Sequence, residues 1–314
     1  MNEIKLDNSK TSLFRSCRRK FLLSEVLGYK SNFGSTALRY GSTWHAMLEG
    51  YYKHILENGW DDSPKAIAAG VELGKKKWDK ESEGKIFVDD YKTFDNCCDC
   101  FLRYLSFFAD DQSFVKIIGT EKKFECPIIP ESAEEEAKLK LLPPIIFTGR
   151  MDLQLTMSDA NWICDFKTTG ANLDTQAYRL NRSGQMMGYT YAAKRVLEYP
   201  SDGCIVSIAY VYSKKSEKTG EYGKLSSDFR RVPMIFTPYD LIEWKRSFIT
   251  TCTDIVKCTE ENNFGMDSEF VVDFDSCYQY GTCSYCRLCE QNRPVDELNF
   301  EGYHIDFWDV LEEE

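Results

Sequence analysis

FTGRMDLQL, residues 147–155, and WICDFKTT, residues 162–169, are the two stretches on which the fold turns. In the first, Phe147, Met151, Leu153 and Leu155 fall on one side of an extended chain and Arg150, Asp152 and Gln154 on the other, because successive strand side chains alternate between faces. In the second, Trp162, Cys164 and Phe166 share one face, and Asp165 and Lys167 share the opposite one. Ser158, Asp159, Ala160 and Asn161 form a turn between them, so the strands read as a hairpin that can bring Asp152, Asp165 and Lys167 together.

Two carboxylates and one amine on neighbouring strands suit phosphodiester hydrolysis, in which water attacks phosphorus and negative charge gathers on the phosphoryl and leaving oxygens. Carboxylates hold Mg²⁺ or Mn²⁺ as hard oxygen ligands, and the backbone carbonyl of Phe166 can add another. An ammonium at Lys167 can orient or help deprotonate the water and offset charge in the transition state. An Asp-x-Lys pair is also a common surface alternation on exposed strands, so its meaning depends on what surrounds it.

Outward from the hairpin, apolar periodicity organises the chain. A short helix is expected over Ser9 to Leu27, a second over Ala37 to Glu57 carrying His45, and two more over Pro64 to Lys80 and Tyr91 to Ala109. Strands follow at Val115 to Ile129 and Ile145 to Thr156, with the charged insertion ESAEEEAKLK between them read as a solvated loop. After the hairpin come a helix over Ser183 to Tyr199, strands at Cys204 to Tyr212 and near Phe229 to Phe236, and a helix from Tyr239 to about Asn262. The expectation is one domain over 1–314: a mostly helical part over 1–110, a core over 111–265, and a cysteine-bearing loop and tail over 266–314.

The 314 residues carry a formal net charge of -11, which argues against coating nucleic acid by bulk electrostatics but not against a local basic lane. Candidates for such a lane are Arg15, Arg18, Arg19 and Lys20, then Arg179 and Arg182, then Lys214, Lys215, Arg230 and Arg231. The start of the chain is polar and no apolar run is long enough to span a bilayer, so a cytoplasmic protein without membrane partners is expected.

Several parts in the same chain order resemble the RecB-like branch of the PD-(D/E)XK nucleases, which includes the AddB nuclease domain, CRISPR-associated adaptation nucleases and phage-encoded exonucleases. FGSTALRYGSTWHAMLE is similar to that family's Gly-x-x-x-His helix, GRMDLQL and ICDFKTT to its paired acid motifs, and GQMMGYTYA to its Gln-x-x-x-Tyr helix. The resemblance implies an α/β fold: a restriction-endonuclease-like mixed sheet flanked by helices, with an N-terminal helical lobe and a C-terminal cysteine-cluster loop. It further implies that His45, Asp152 and Asp165 ligate metal, that Lys167 is the catalytic lysine, that Gln185 and Tyr189 line the site, and that Glu121 is a further acid. A lone histidine on a helix is more often structural than a ligand, and Gln185 and Tyr189 could be core-edge residues. The joint occurrence favours catalysis.

The 13 cysteines divide into two populations. Cys97, Cys98, Cys100, Cys126, Cys164, Cys204, Cys252 and Cys258 lie within apolar patterns and read as core thiols. CYQYGTCSYCRLC instead packs Cys277, Cys283, Cys286 and Cys289 into one loop at ligand spacing, with Cys17 remote. Four thiolates suffice for a [4Fe-4S] cluster or a tetrahedral zinc. Members of the resembled family carry an iron-sulfur pin with one cysteine before the nuclease motifs and three after, commonly in a Cys-x-x-Cys-x5-Cys tail from which this chain departs. Either Cys277 or Cys286 is left over, and the preference falls on Cys17, Cys277, Cys283 and Cys289, since Cys286 sits where an apolar residue would serve. The expected function is a metal-dependent DNA exonuclease acting on ends or single strands in recombination, repair or phage replication. A catalytically silent DNA- or protein-binding scaffold and a CRISPR-adaptation nuclease are the alternatives.

Overall fold

A computed structural model describes residues 3–88, 91–260, 268–279, 281–307 and 311. In chain order its principal elements are β1 (Ile4–Leu6), α1 (Asn8–Ser16), α2 (Arg18–Phe21), β2 (Tyr29–Ser31), α3 (Thr36–Asn58), α4 (Ser63–Ser82), α5 (Phe94–Phe107), β3 (Val115–Pro127), α6 (Ala133–Leu139) and β4 (Ile145–Met157). There follow β5 (Ala160–Thr169), α7 (Leu173–Leu180), α8 (Gly184–Val196), β6 (Gly203–Tyr212), β7 (Ser226–Met234), α9 (Pro238–Glu260), α10 (Cys286–Cys289) and β8 (Tyr303–Ile305). The chain makes a mixed α/β fold, with a mixed sheet flanked by helices and an N-terminal helical region. Two compact units emerge, one of Gly34–Lys123 and Arg150–Thr237, the other of Met1–Phe33, Phe124–Gly149 and Pro238–Glu314.

The first unit is built on β4 to β7. β4 and β5 are antiparallel from Met157↔Ala160 to Leu153↔Cys164, turning through Ser158 and Asp159, both with positive φ. β5 then pairs in parallel with β6, Asp165 beside Val206 and Lys167 beside Ile208, and β6 pairs antiparallel with β7. One face of this sheet (Leu153, Leu155, Cys164, Phe166, Ile205, Ala209, Val211) is buried against Trp44, Met47, Leu48 and Tyr52 of α3 and Phe101 and Tyr104 of α5. The opposite face meets α8, where Cys204 Sγ touches Thr190 Oγ1 and the Met186 carbonyl.

Helix α3 starts at Ser35, whose hydroxyl accepts the Leu38 amide, and stops at Gly59, whose φ of 83° would strain a side-chain-bearing residue. Its fully buried Trp44 anchors the core, and truncating such a residue to alanine costs about 3–5 kcal/mol. Close approach of α3 and α4 requires Gly50 and Gly70: a Cβ on Gly50 would sit 2.7 Å from the Ala69 carbonyl, and one on Gly70 2.6 Å from that of Met47.

In the second unit β1 runs parallel to Ile145–Phe147, and Phe147 packs against Phe124, Trp244 and Phe248. The acidic insertion is a helix here, contrary to the loop expected from its charge. Ser132 caps α6, Lys138 and Lys140 pair with Glu134 and Glu136, and the fully buried Lys245 ammonium lies 2.7 Å from Glu135 and 3.2 Å from Glu131. The single helix expected over Ser9 to Leu27 is broken at Cys17, whose backbone is extended (φ -163°), and continues as α2 and a π-helical turn. Tyr29–Ser31 and Tyr303–Ile305, unassigned in the sequence, form a two-stranded sheet. α7 was unassigned too. The expected end of the last helix, Asn262, lies outside the described residues. Of the predicted core thiols, all are buried except the half-buried Cys98.

Candidate functional site

The β4–β5 ladder has its last pair at Leu153↔Cys164, and beyond it the two strands no longer exchange backbone bonds in register. There the Phe166 amide donates to Asp152 Oδ2 at 2.8 Å. A strand residue's N–H and C=O point to the same side, so the Phe166 carbonyl shares the side on which Asp152 lies. Asp152 Oδ2 is also 3.2 Å from His45 Nδ1, delivered by α3. Asp165 is 1% exposed, and Lys167 Nζ lies 2.9 and 3.1 Å from its two oxygens. The three groups expected from the sequence are thus gathered, with His45 beside them.

Gln185 and Tyr189 stand one turn apart on α8. Gln185 Nε2 donates to the Tyr189 hydroxyl at 3.1 Å, and that hydroxyl donates to the Arg150 carbonyl at 2.9 Å. They brace the backbone two residues before Asp152. Glu121 belongs to the same region, 2.8 Å from Arg150 Nε. Its φ of 47° is unusual for a non-glycine residue inside a strand. Burial along β3 falls on Val115 and Ile117 before it and on Phe124 and Cys126 after it, a change of parity that one bulged residue produces.

Charge within the site is mutually dependent. Burial pushes Glu121 up to about 8, reinforced by Asp152 and Glu49 and opposed by Arg150. Burial also lifts Asp165 above the ordinary carboxylate range, against the pull of Lys167. For Asp152 burial is opposed and outweighed by His45, then Lys167 and the Phe166 amide, which hold the carboxyl below that range. Burial opposes the charges of His45 and Lys167, yet the aspartates outweigh it and raise both. The two aspartates thus favour the charged form of Lys167.

Among the described residues no group of three His, Cys, Asp or Glu side chains stands in metal-holding geometry. Lys167 and His45 occupy the carboxylate oxygens that a cation would draw. The donor chemistry nevertheless fits one: Asp152, Asp165 and the Phe166 carbonyl are hard oxygens, with His45 and Glu121 adjoining. Sequence reasoning passed over Glu49 and Arg150. Glu49 follows His45 by four residues on α3, a spacing that places both on one helix face, and it acts on Glu121. That spacing was readable in WHAMLE.

The second unit gathers the other cysteines. Cys17 caps α2, its sulfur accepting the Lys20 amide at 3.5 Å. The Cys283 amide donates to the Cys277 carbonyl at 2.8 Å and the Cys286 amide to that of Cys283 at 3.0 Å, folding the loop back on itself. Burial, then Cys286, Cys283 and Cys17, raise the Cys277 thiol; burial, then Cys17, Cys283 and Cys277, push Cys289 up to about 11. Cys17, Cys277, Cys283, Cys286 and Cys289 therefore form one electrostatically linked group. Cys286 is buried beside Tyr278, its sulfur 3.8 Å from the phenolic oxygen. The loop is pinned independently by Tyr285 donating to the Tyr29 carbonyl and Tyr303 to that of Ser284.

Comparison with known proteins gives the superfamily of the chain. The model of the PD-(D/E)XK nuclease superfamily matches residues 8–290, so the chain belongs to that superfamily, whose members are generally metal-dependent phosphodiesterases. No curated protein matches it. The crystal structure of SSO0001 aligns with 77% of this chain and 84% of its own at 11% identity, with a TM-score of 0.28. No helix among the described residues is long and apolar enough to cross a membrane.

Proposed function

We propose that the chain is a divalent-metal-dependent DNA exonuclease acting on ends or single strands, with a structural [4Fe-4S] cluster. The observation that carries the catalytic part is the convergence of Asp152, Asp165 and Lys167 at the point where β4 and β5 part. Asp152, Asp165 and the Phe166 carbonyl would hold Mg²⁺ or Mn²⁺, with His45 as a further ligand and Glu121 nearby. When bound, the cation supplies Lewis acidity at the scissile phosphate and neutralises charge there.

The chain's own groups do the rest. Lys167 donates hydrogen bonds to the attacking water and the phosphoryl oxygens; the water oxygen bonds to phosphorus, its proton passes to solvent, and the P–O bond to the leaving oxygen breaks. His45 fixes the orientation of Asp152, while Gln185 and Tyr189 hold the Arg150 backbone. Cys17, Cys277, Cys283 and Cys289 would hold the cluster, with zinc as the alternative occupant. End-labelled single- and double-stranded DNA incubated with Mg²⁺ or Mn²⁺ should be shortened by the wild type and not by Lys167→Ala. Equal degradation by both would remove the assignment.

A further inference from the structure

Beyond Lys167 the sheet carries a feature that hydrolysis itself does not use. On β6, Tyr210 and Tyr212 project from the same face, their rings 6.2 Å apart and inclined by only 14°. Tyr210 is half-buried and Tyr212 is 41% exposed. Thr169 pairs with Tyr210, and Lys167 with Ile208, so paired residues place both tyrosines on the face that bears Asp165 and Lys167. One strand spacing across and two residues along puts the Cα of Tyr210 roughly 8 Å from that of Lys167.

Charges of both signs surround this pair: Asp228 of β7 pairs with Tyr210, and Glu217 and Glu221 share the loop of Lys214 and Lys215. Ile208 pairs in turn with Arg230 on β7, which puts that guanidinium on the same face, 2.6 Å from Asp174 of α7. Lys214 and Lys215 follow Tyr212 after Ser213. Their loop is fastened by Ser213 donating to the Gly223 carbonyl and by the Gly223 amide donating to that of Lys214. Parallel aromatic faces flanked by lysine and arginine are what unpaired bases on a phosphate backbone require. A duplex buries those base faces in its own stack.

We infer that Tyr210 and Tyr212 form a stacking platform for unpaired nucleobases next to the scissile phosphate, directing the enzyme to single-stranded DNA or frayed ends; this rests on the nuclease reading above. The test is fluorescence anisotropy with the full chain in EDTA, using a labelled oligothymidylate, an abasic oligonucleotide of the same length and a blunt duplex. Tyr210→Ala and Tyr212→Ala should each weaken oligothymidylate binding by roughly 5- to 100-fold. Tyr→Phe variants, which keep the π-face, should bind as the wild type does. Duplex affinity should not move, and the wild type should bind the abasic strand as poorly as the alanine variants bind oligothymidylate. Unchanged oligothymidylate binding by the alanine variants, in a wild type that binds and cuts DNA, overturns the platform alone, whereas a wild type that binds no DNA overturns both readings. Should an alanine variant fail to fold, the abasic comparison on the wild type decides: equal affinity for abasic and base-bearing strands refutes the platform.

Discussion

Replacing Glu121 with glutamine removes a carboxyl that the fold holds against its ionisation. Glu121 is 16% exposed, and burial with Asp152 and Glu49 nearby raises its carboxyl from the ordinary value of about 4.5 to about 8. It binds its proton more tightly in the folded chain than in the unfolded one, so its contribution to stability is present below about 4.5 and is lost as pH climbs toward about 8. At 1.36 kcal/mol per pH unit, the full swing is roughly 5 kcal/mol. Glutamine also deprives Arg150 of its partner carboxylate, which offsets the gain by about 1–3 kcal/mol. Thermal unfolding in EDTA, followed from pH 5 to pH 9, should therefore show Glu121→Gln close to the wild type at the acid end and more stable at the alkaline end. Identical pH dependence of the two proteins would refute the reasoning.

Three further outcomes follow from the geometry. Lys167→Met should lower kcat by about 10²–10³ with KM little changed, since the ammonium acts on charge that develops in the transition state; single-turnover kinetics on labelled DNA checks this. Arg231 forms a bidentate pair with Asp111 at 2.6 and 2.7 Å beneath the Phe108 ring, so Arg231→Met should destabilise by about 3–5 kcal/mol in urea unfolding. Cys17→Ser and Cys283→Ser should lose bound iron and visible absorbance while Cys286→Ser keeps them, and iron analysis that ranks them otherwise would reassign the ligands.

The β4–β5 hairpin was legible because alternation and chemistry coincide in it: in FTGRMDLQL and WICDFKTT the apolar side chains pack on one face and the charged groups occupy the other. Helix α3 was equally plain, since its apolar stripe and Ser35 cap are local. What the sequence concealed depends on distant partners. α6 reads as a solvated acidic run until the buried Lys245 supplies its counter-charge. Tyr29–Ser31 and Tyr303–Ile305 are too short to announce themselves and become strands only by pairing with each other. The break at Cys17 runs against an uninterrupted helical periodicity, because the residue is turned out to cap α2 and face the cysteine loop. The bulge at Glu121 leaves no residue-type signature, since glutamate seldom adopts a positive φ.

The centre of the account is that Asp152 and Asp165 share one divalent cation beside Lys167. Calorimetric titration of Mn²⁺ into the purified protein addresses it without any nucleic acid present. Saturable binding by the wild type that disappears in Asp165→Ala is the predicted result, and undiminished binding in that variant would contradict it.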